Sequence, residues 1–148
     1  MHRNVNIEER LESIREAHGL EIKTFPDLGK TPSEGLESLK LFLTKAIVSL
    51  NSIQCDLKDG ISEEDSLTGI ATLLATIVAQ CYENGLEYGI HISDIMEILL
   101  DSNESKLGTD GKAIFNEKGE ALKGPYYWKP EPMICKYLKT QMPRSSDG

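Results

Sequence analysis

Glu63 to Gly89, EEDSLTGIATLLATIVAQCYENGLEYG, decides how the rest of the chain is organised. From Leu67 to Cys81 it holds no charged side chain, and apolar residues occupy nearly every helical face. A helix that is apolar all round is surrounded by other protein. The stretch therefore predicts the central rod of a helical bundle. Ser62 followed by Asp65 caps its start, and Gly89 marks its end more naturally than Asn84-Gly85 does, because Leu86 to Tyr88 keep the pattern.

Upstream, Thr31-Pro32-Ser33-Glu34 pairs a Thr N-cap and Glu at the third helical position with Pro at the first. A second helix is expected from Pro32 to about Gln54. Leu36, Leu39, Leu43, Ile47, Leu50 and Ile53 should form its buried stripe. The short connection through Asp59-Gly60 makes the two helices antiparallel neighbours. Asn6 with Glu9 opens a first helix, Ile7 to His18, that stops at Gly19, with His18 at its boundary. Downstream, Ser93 caps a fourth helix from Asp94 to Ser102. Residues 110–124 read as a small hairpin turning at Asn116–Gly119, and Met133 to Leu138 as one further short turn of helix.

The expected fold class is all-α: about four main helices with a small C-terminal β-hairpin, residues 1–140 forming one domain and 141–148 a flexible tail. So few elements leave little internal core, and the apolar third helix then implies a homodimer, or a tetramer. Sixteen basic against 24 acidic residues, net charge −8, argue against a nucleic-acid backbone as partner. No run is long and apolar enough to span a membrane, and no signal peptide is legible, so a cytoplasmic setting and no membrane partner are expected. Cys55, Cys81 and Cys135 are too few and too dispersed for a disulfide or zinc framework; those within helical patterns read as small buried apolar residues. No P-loop, no GxGxxG and no Ser/His/Asp arrangement is present, and His2, His18 and His91 lack metal-ligand spacing.

From Leu86-Glu-Tyr-Gly-Ile90 onward a series of segments resembles one enzyme family. They are Asp94-Ile-Met96, Asp101-Ser-Asn-Glu-Ser-Lys106, Asp110-Gly-Lys112 and Lys123-Gly-Pro-Tyr-Tyr127, with Glu16-Ala-His-Gly-Leu20 weakly similar at the start. Together they resemble the all-α nucleoside-triphosphate pyrophosphohydrolases, the MazG-like and phosphoribosyl-ATP pyrophosphohydrolase-like group. The resemblance implies a MazG-like bundle and a magnesium-dependent cut between the α and β phosphates. Magnesium takes hard oxygen ligands. The family supplies them as EExxE on its second helix facing ExxD on its third.

This sequence departs from that pattern. Carried over on the apolar residues, the EExxE positions fall on Lys45, Ala46 and Ser49. Counted back from Gly89 without gaps, the ExxD positions fall on Leu73 and Thr76, or after a one-turn slip on Gly69 and Thr72, and neither register offers a carboxylate. From Leu39 to Asn51 there is no acidic residue, and Lys45 brings a positive charge where a cation would sit. The expectation is a degenerate member with no cofactor, acting as a binding or interaction protein, so that whether it is an enzyme stays open. The alternative is an active pyrophosphohydrolase using magnesium or manganese on other ligands. Asp94, Glu97 and Asp101, continued by Glu104, step along the fourth helix at intervals of three and four and are the candidates, against a solvated face as the plainer reading. For a nucleotide ligand, the resemblance points to Asn103, Lys106, Lys112, Tyr126 and Tyr127. Each also has a structural reading, as a helix end or as an aromatic anchor for the hairpin.

Overall fold

Asn6 does what its spacing predicts: its side chain accepts the Glu9 amide at 3.2 Å and opens α1, Ile7–Ala17, which ends before Gly19 at φ +71°. The structure, a computed structural model, describes residues 6–144. His2 and the last four residues of the expected tail lie outside them. The described residues form five helices and one hairpin in the order α1, α2 (Pro32–Lys58), α3 (Glu63–Glu87), α4 (Ile92–Glu104), β1 (Ile114–Phe115), β2 (Ala121–Leu122) and α5 (Pro130–Gln141). The all-α class with a small C-terminal hairpin is what the chain forms. Its contacts gather into two units, one up to Ile90 and one from His91 on.

In the first unit α2 and α3 pack along their lengths and α1 packs on α3. Gly35, near the start of α2, lies under the Tyr88 hydroxyl at the end of α3, and Ile53, near the end of α2, touches Gly69 near the start of α3. Those two contacts make the pair antiparallel. Ser62 caps α3 through the Asp65 amide at 3.1 Å. The Thr31 cap does not form; its hydroxyl bonds to the Glu34 carboxylate instead, at 3.1 Å, and Pro32 alone sets the first turn. α2 runs one turn beyond Gln54, to Lys58, because nothing in Cys55-Asp-Leu-Lys58 breaks a helix.

The single chain alone does not surround α3. Ala46 and Leu86 are the buried hydrophobic residues among those described. Leu67, Leu74 and Val78 on α3 stay exposed, as do Leu36, Leu43, Ile47 and Leu50 of the predicted α2 stripe, while Leu39 and Ile53 are half-buried. Two helices in contact cover one face of each, and α1 reaches only part of α3. All three cysteines are likewise exposed, on uncovered faces of α2, α3 and α5, which corrects the reading of those within helical patterns as buried apolar residues.

In the second unit α4 begins at Ile92 with His91 as N-cap, not at a Ser93 cap, and extends to Glu104. The hairpin pairs Ile114 with Leu122 and Phe115 with Ala121. Asn116 turns it by accepting the Lys118 and Glu120 amides, both at 2.9 Å, with Gly119 at φ +78°. The expected short turn at Met133–Leu138 is a full helix, α5, packed on α4. Pro130 at its first position was the start signal.

Candidate functional site

The antiparallel register decides where the family-motif positions fall. Interpolating between the Gly35–Tyr88 and Ile53–Gly69 contacts brings Ala46 level with Thr76 and Ser49 level with Leu73. Ala46 is buried and Leu73 half-buried, while Lys45, Ser49 and Thr76 are exposed. Both hydroxyls turn back on their own helices: Ser49 Oγ donates to Lys45 O at 3.2 Å and Thr76 Oγ1 to Thr72 O at 2.7 Å. Such back-bonds occupy a hydroxyl's donor without any ligand. Of the four, the covered ones are the apolar Ala46 and Leu73.

On α4, Asp94, Glu97, Asp101 and Glu104 are exposed. Asp94 accepts a hydrogen bond from the Tyr137 hydroxyl of α5, so it fastens one helix to the other. Among the described residues no group of three or more His, Cys, Asp or Glu side chains could hold a metal ion.

The nucleotide candidates divide. Asn103, Lys106 and Tyr127 come together at the end of α4: Lys106 Nζ donates to Asn103 Oδ1 at 2.9 Å and lies 6.0 Å from the centre of the Tyr127 ring, with Lys123 Nζ nearer at 4.6 Å. These cations are within reach of the negative face of the ring. Tyr126 is 73% exposed. Lys112 belongs to the turn before β1, its amide donating to Asp110 Oδ1 at 3.0 Å and its carbonyl accepting from Gly108. The segment bearing the aromatics is held to the end of α4 and the turn after it by one main-chain bond and two through serine hydroxyls. Gly124 N donates to Lys106 O at 2.6 Å, Ser102 Oγ to Trp128 O at 2.9 Å, and Trp128 N to Ser105 Oγ at 3.3 Å. Ser102, 1% exposed, is the most buried side chain among the described residues. Ser102, Ser105 and Gly124 of the resemblance segments therefore build the corner, and the Lys106–Tyr127 group sits upon it.

The first unit holds a cavity of about 250 Å³ that sequence reasoning missed. Arg15, Lys23, Lys30, Gly35, Glu87 and Tyr88 are among its lining residues, brought from α1, the following loop, and opposite ends of α2 and α3. Arg15 donates to Glu83 at 2.9 Å, while its Nε is buried without a hydrogen-bond partner among the described residues. Tyr88 Oη donates to Pro32 O at 2.9 Å. The loop is pinned to the end of α3 where Asp27 N donates to Tyr88 O, at 2.9 Å. Asp27 itself accepts from Gly29 N and from Lys23 Nζ, both at 3.1 Å, and these bonds, the Gly29 amide foremost, hold its carboxyl below its ordinary value of 3.8. No sequence spacing signals this cavity, because its walls are distant in the chain.

No family profile matches this chain, and no curated protein matches it. Among solved structures it is similar to a crystal structure of "a putative NTP pyrophosphohydrolase" from Exiguobacterium sp. 255-15, with 16% identity and a TM-score of 0.49 over 95% of this chain and 100% of that one. Identity and score at that level assign no activity. No described helix is long and apolar enough to cross a membrane.

Proposed function

We propose that this chain is a catalytically degenerate relative of the all-α nucleoside-triphosphate pyrophosphohydrolases, working in the cytoplasm as a binding or interaction protein. The observation that carries the reading is the level of α2 and α3 at which Ala46 stands level with Thr76 and Ser49 with Leu73. Where the family's chemistry needs a cage of carboxylates, these side chains offer a methyl, an isobutyl group and two hydroxyls already bonded to their own helices. Hydrolysis of a triphosphate needs divalent charge to neutralise the phosphates and activate water. A protein of net charge −8 repels the uncompensated anion.

Association is the second part of the proposal. The exposed Leu43, Ile47 and Leu50 of α2, with Leu74 and Val78 of α3, suit the core of an interface with a second copy better than they suit water. Pyrophosphate release over ribo- and deoxynucleoside triphosphates, with magnesium or manganese, tests the chemistry. No release above the uncatalysed rate is expected. Release that Glu97→Ala or Asp101→Ala abolishes would replace this reading with a working enzyme on displaced metal ligands. Sedimentation of Ile47→Glu tests the association, with the dimer expected to dissociate.

A further inference from the structure

The cavity at the start of α2 and the end of α3 lies within the first unit and is lined by charges of both signs. Two of its cations are already committed, Arg15 to Glu83 at 2.9 Å and Lys23 to Asp27 at 3.1 Å. Their side chains are only 14% and 16% exposed, so both are fixed parts of the wall. Lys30, Glu21 and Glu87 line it as well. These three are exposed and have no side-chain hydrogen bond or ion pair among the described residues. The signs are also sorted in space. Lys23 Nζ lies 3.2 Å from where a Cβ on Gly29 would stand, and Lys30 is the next residue, so the lysines gather at the Gly29 wall. Glu87 Oε2 lies 3.6 Å from the corresponding point on Gly35, beside the Tyr88 hydroxyl, in the first turns of α2.

We propose that this cavity binds a small zwitterion of the amino-acid class, its carboxylate towards Lys30 and Arg15 and its ammonium towards Glu87. The lining selects that chemistry. Glu21 and Glu87 oppose a plain anion, and Arg15, Lys23 and Lys30 oppose a plain cation. A molecule bearing both charges meets each with its opposite. Being neutral overall, it is not turned away by a protein of net charge −8. Arg15 Nε adds a buried donor without a partner among the described residues; such a donor is costly to leave unmade, and a carboxylate supplies the acceptor. At about 250 Å³ the cavity falls just below the range that takes drug-sized ligands, so the occupant is small. The inference holds whether or not the chain hydrolyses a triphosphate.

Lys30 and Glu87 are exposed, so changing them spares the fold and supplies the test. The amide shifts of Gly29 and Gly35 in the full chain are followed as glycine, β-alanine and 4-aminobutyrate are added, zwitterions whose charges lie progressively further apart. Butyrate, butylamine and inorganic phosphate serve as probes of a single sign. At least one zwitterion is expected to bind with a Kd of about 1 mM, and every single-sign probe about fivefold more weakly or worse. Lys30→Gln should bring the best zwitterion down to the level of butylamine, and Glu87→Gln to that of butyrate. Lys118→Gln, in the hairpin, should change nothing. A single-sign probe that binds as tightly as the best zwitterion would overturn the proposal. So would amides that no zwitterion shifts, or an affinity indifferent to both Lys30→Gln and Glu87→Gln.

Discussion

The α2–α3 pair and the corner where Gly124–Trp128 meets the end of α4 are held by opposite means. The pair is long, apolar and loosely covered: its two helices touch along one face each, and most of their leucines and valines remain exposed. The corner is short and polar, closed by Ser102, Ser105 and Gly124 through five hydrogen bonds between 2.6 and 3.3 Å. Hydrogen bonds have direction and reach, so a few of them specify one backbone path within a single chain. Apolar burial has neither, and it is complete only when enough surface is present to cover the face. The corner is therefore closed by its own bonds, whereas the pair leaves apolar faces of both helices exposed among the described residues.

The largest expected effect breaks the corner. A Cβ at Gly124 would collide with the main-chain carbonyl of Leu107 and lie 2.8 Å from that of Lys106, and backbone cannot swing aside as a side-chain tip can. Gly124→Ala should lower unfolding stability of this unit by about 3 kcal/mol. Trp128, the single tryptophan, reports it directly by fluorescence in urea. A loss below about 0.5 kcal/mol would show the corner to be as forgiving as an ordinary surface site.

Ser102→Ala comes next. It leaves the Trp128 carbonyl without its donor at a buried position, at a cost of about 1–2 kcal/mol, and should shift the Trp128 emission even where the chain stays folded. Leu74→Ser sharpens the contrast from the other side. In dilute monomer it should change stability by no more than about 0.5 kcal/mol, because Leu74 is already exposed. The same change should weaken self-association measured by sedimentation. A large loss in the monomer would mean that α3 is covered without any partner.

The smallest effect is electrostatic and lies in the loop between α1 and α2. The Asp27 carboxyl is held below its ordinary value, so its bonds to Gly29 and Lys23 contribute fully above pH 3.8 and are lost as pH falls through the lower folded value. A carboxyl titration by NMR should place the Asp27 midpoint below 3.8, with the Gly29 amide shift following it. Lys23→Met should move the midpoint only part of the way back, since the Gly29 amide is the larger cause.

Much of this was readable along the chain because local rules act over a few residues. Asn6 and Ser62 cap their helices as their spacing demands, Pro32 starts its own, and Asn116 to Gly119 turn the hairpin. The lack of acids from Leu39 to Asn51 needs no structure at all. How α3 is covered was not readable, because an apolar pattern states that a face prefers to be covered, not which molecule covers it. Tertiary structure alone decided that Ala46 stands level with Thr76. It also decided the meeting of Arg15, Lys30 and Tyr88 around one cavity, and the use of Ser102 and Ser105 as a lock on Trp128. Each joins residues far apart in the chain, and such distances are set by how helices pack, which no local spacing records.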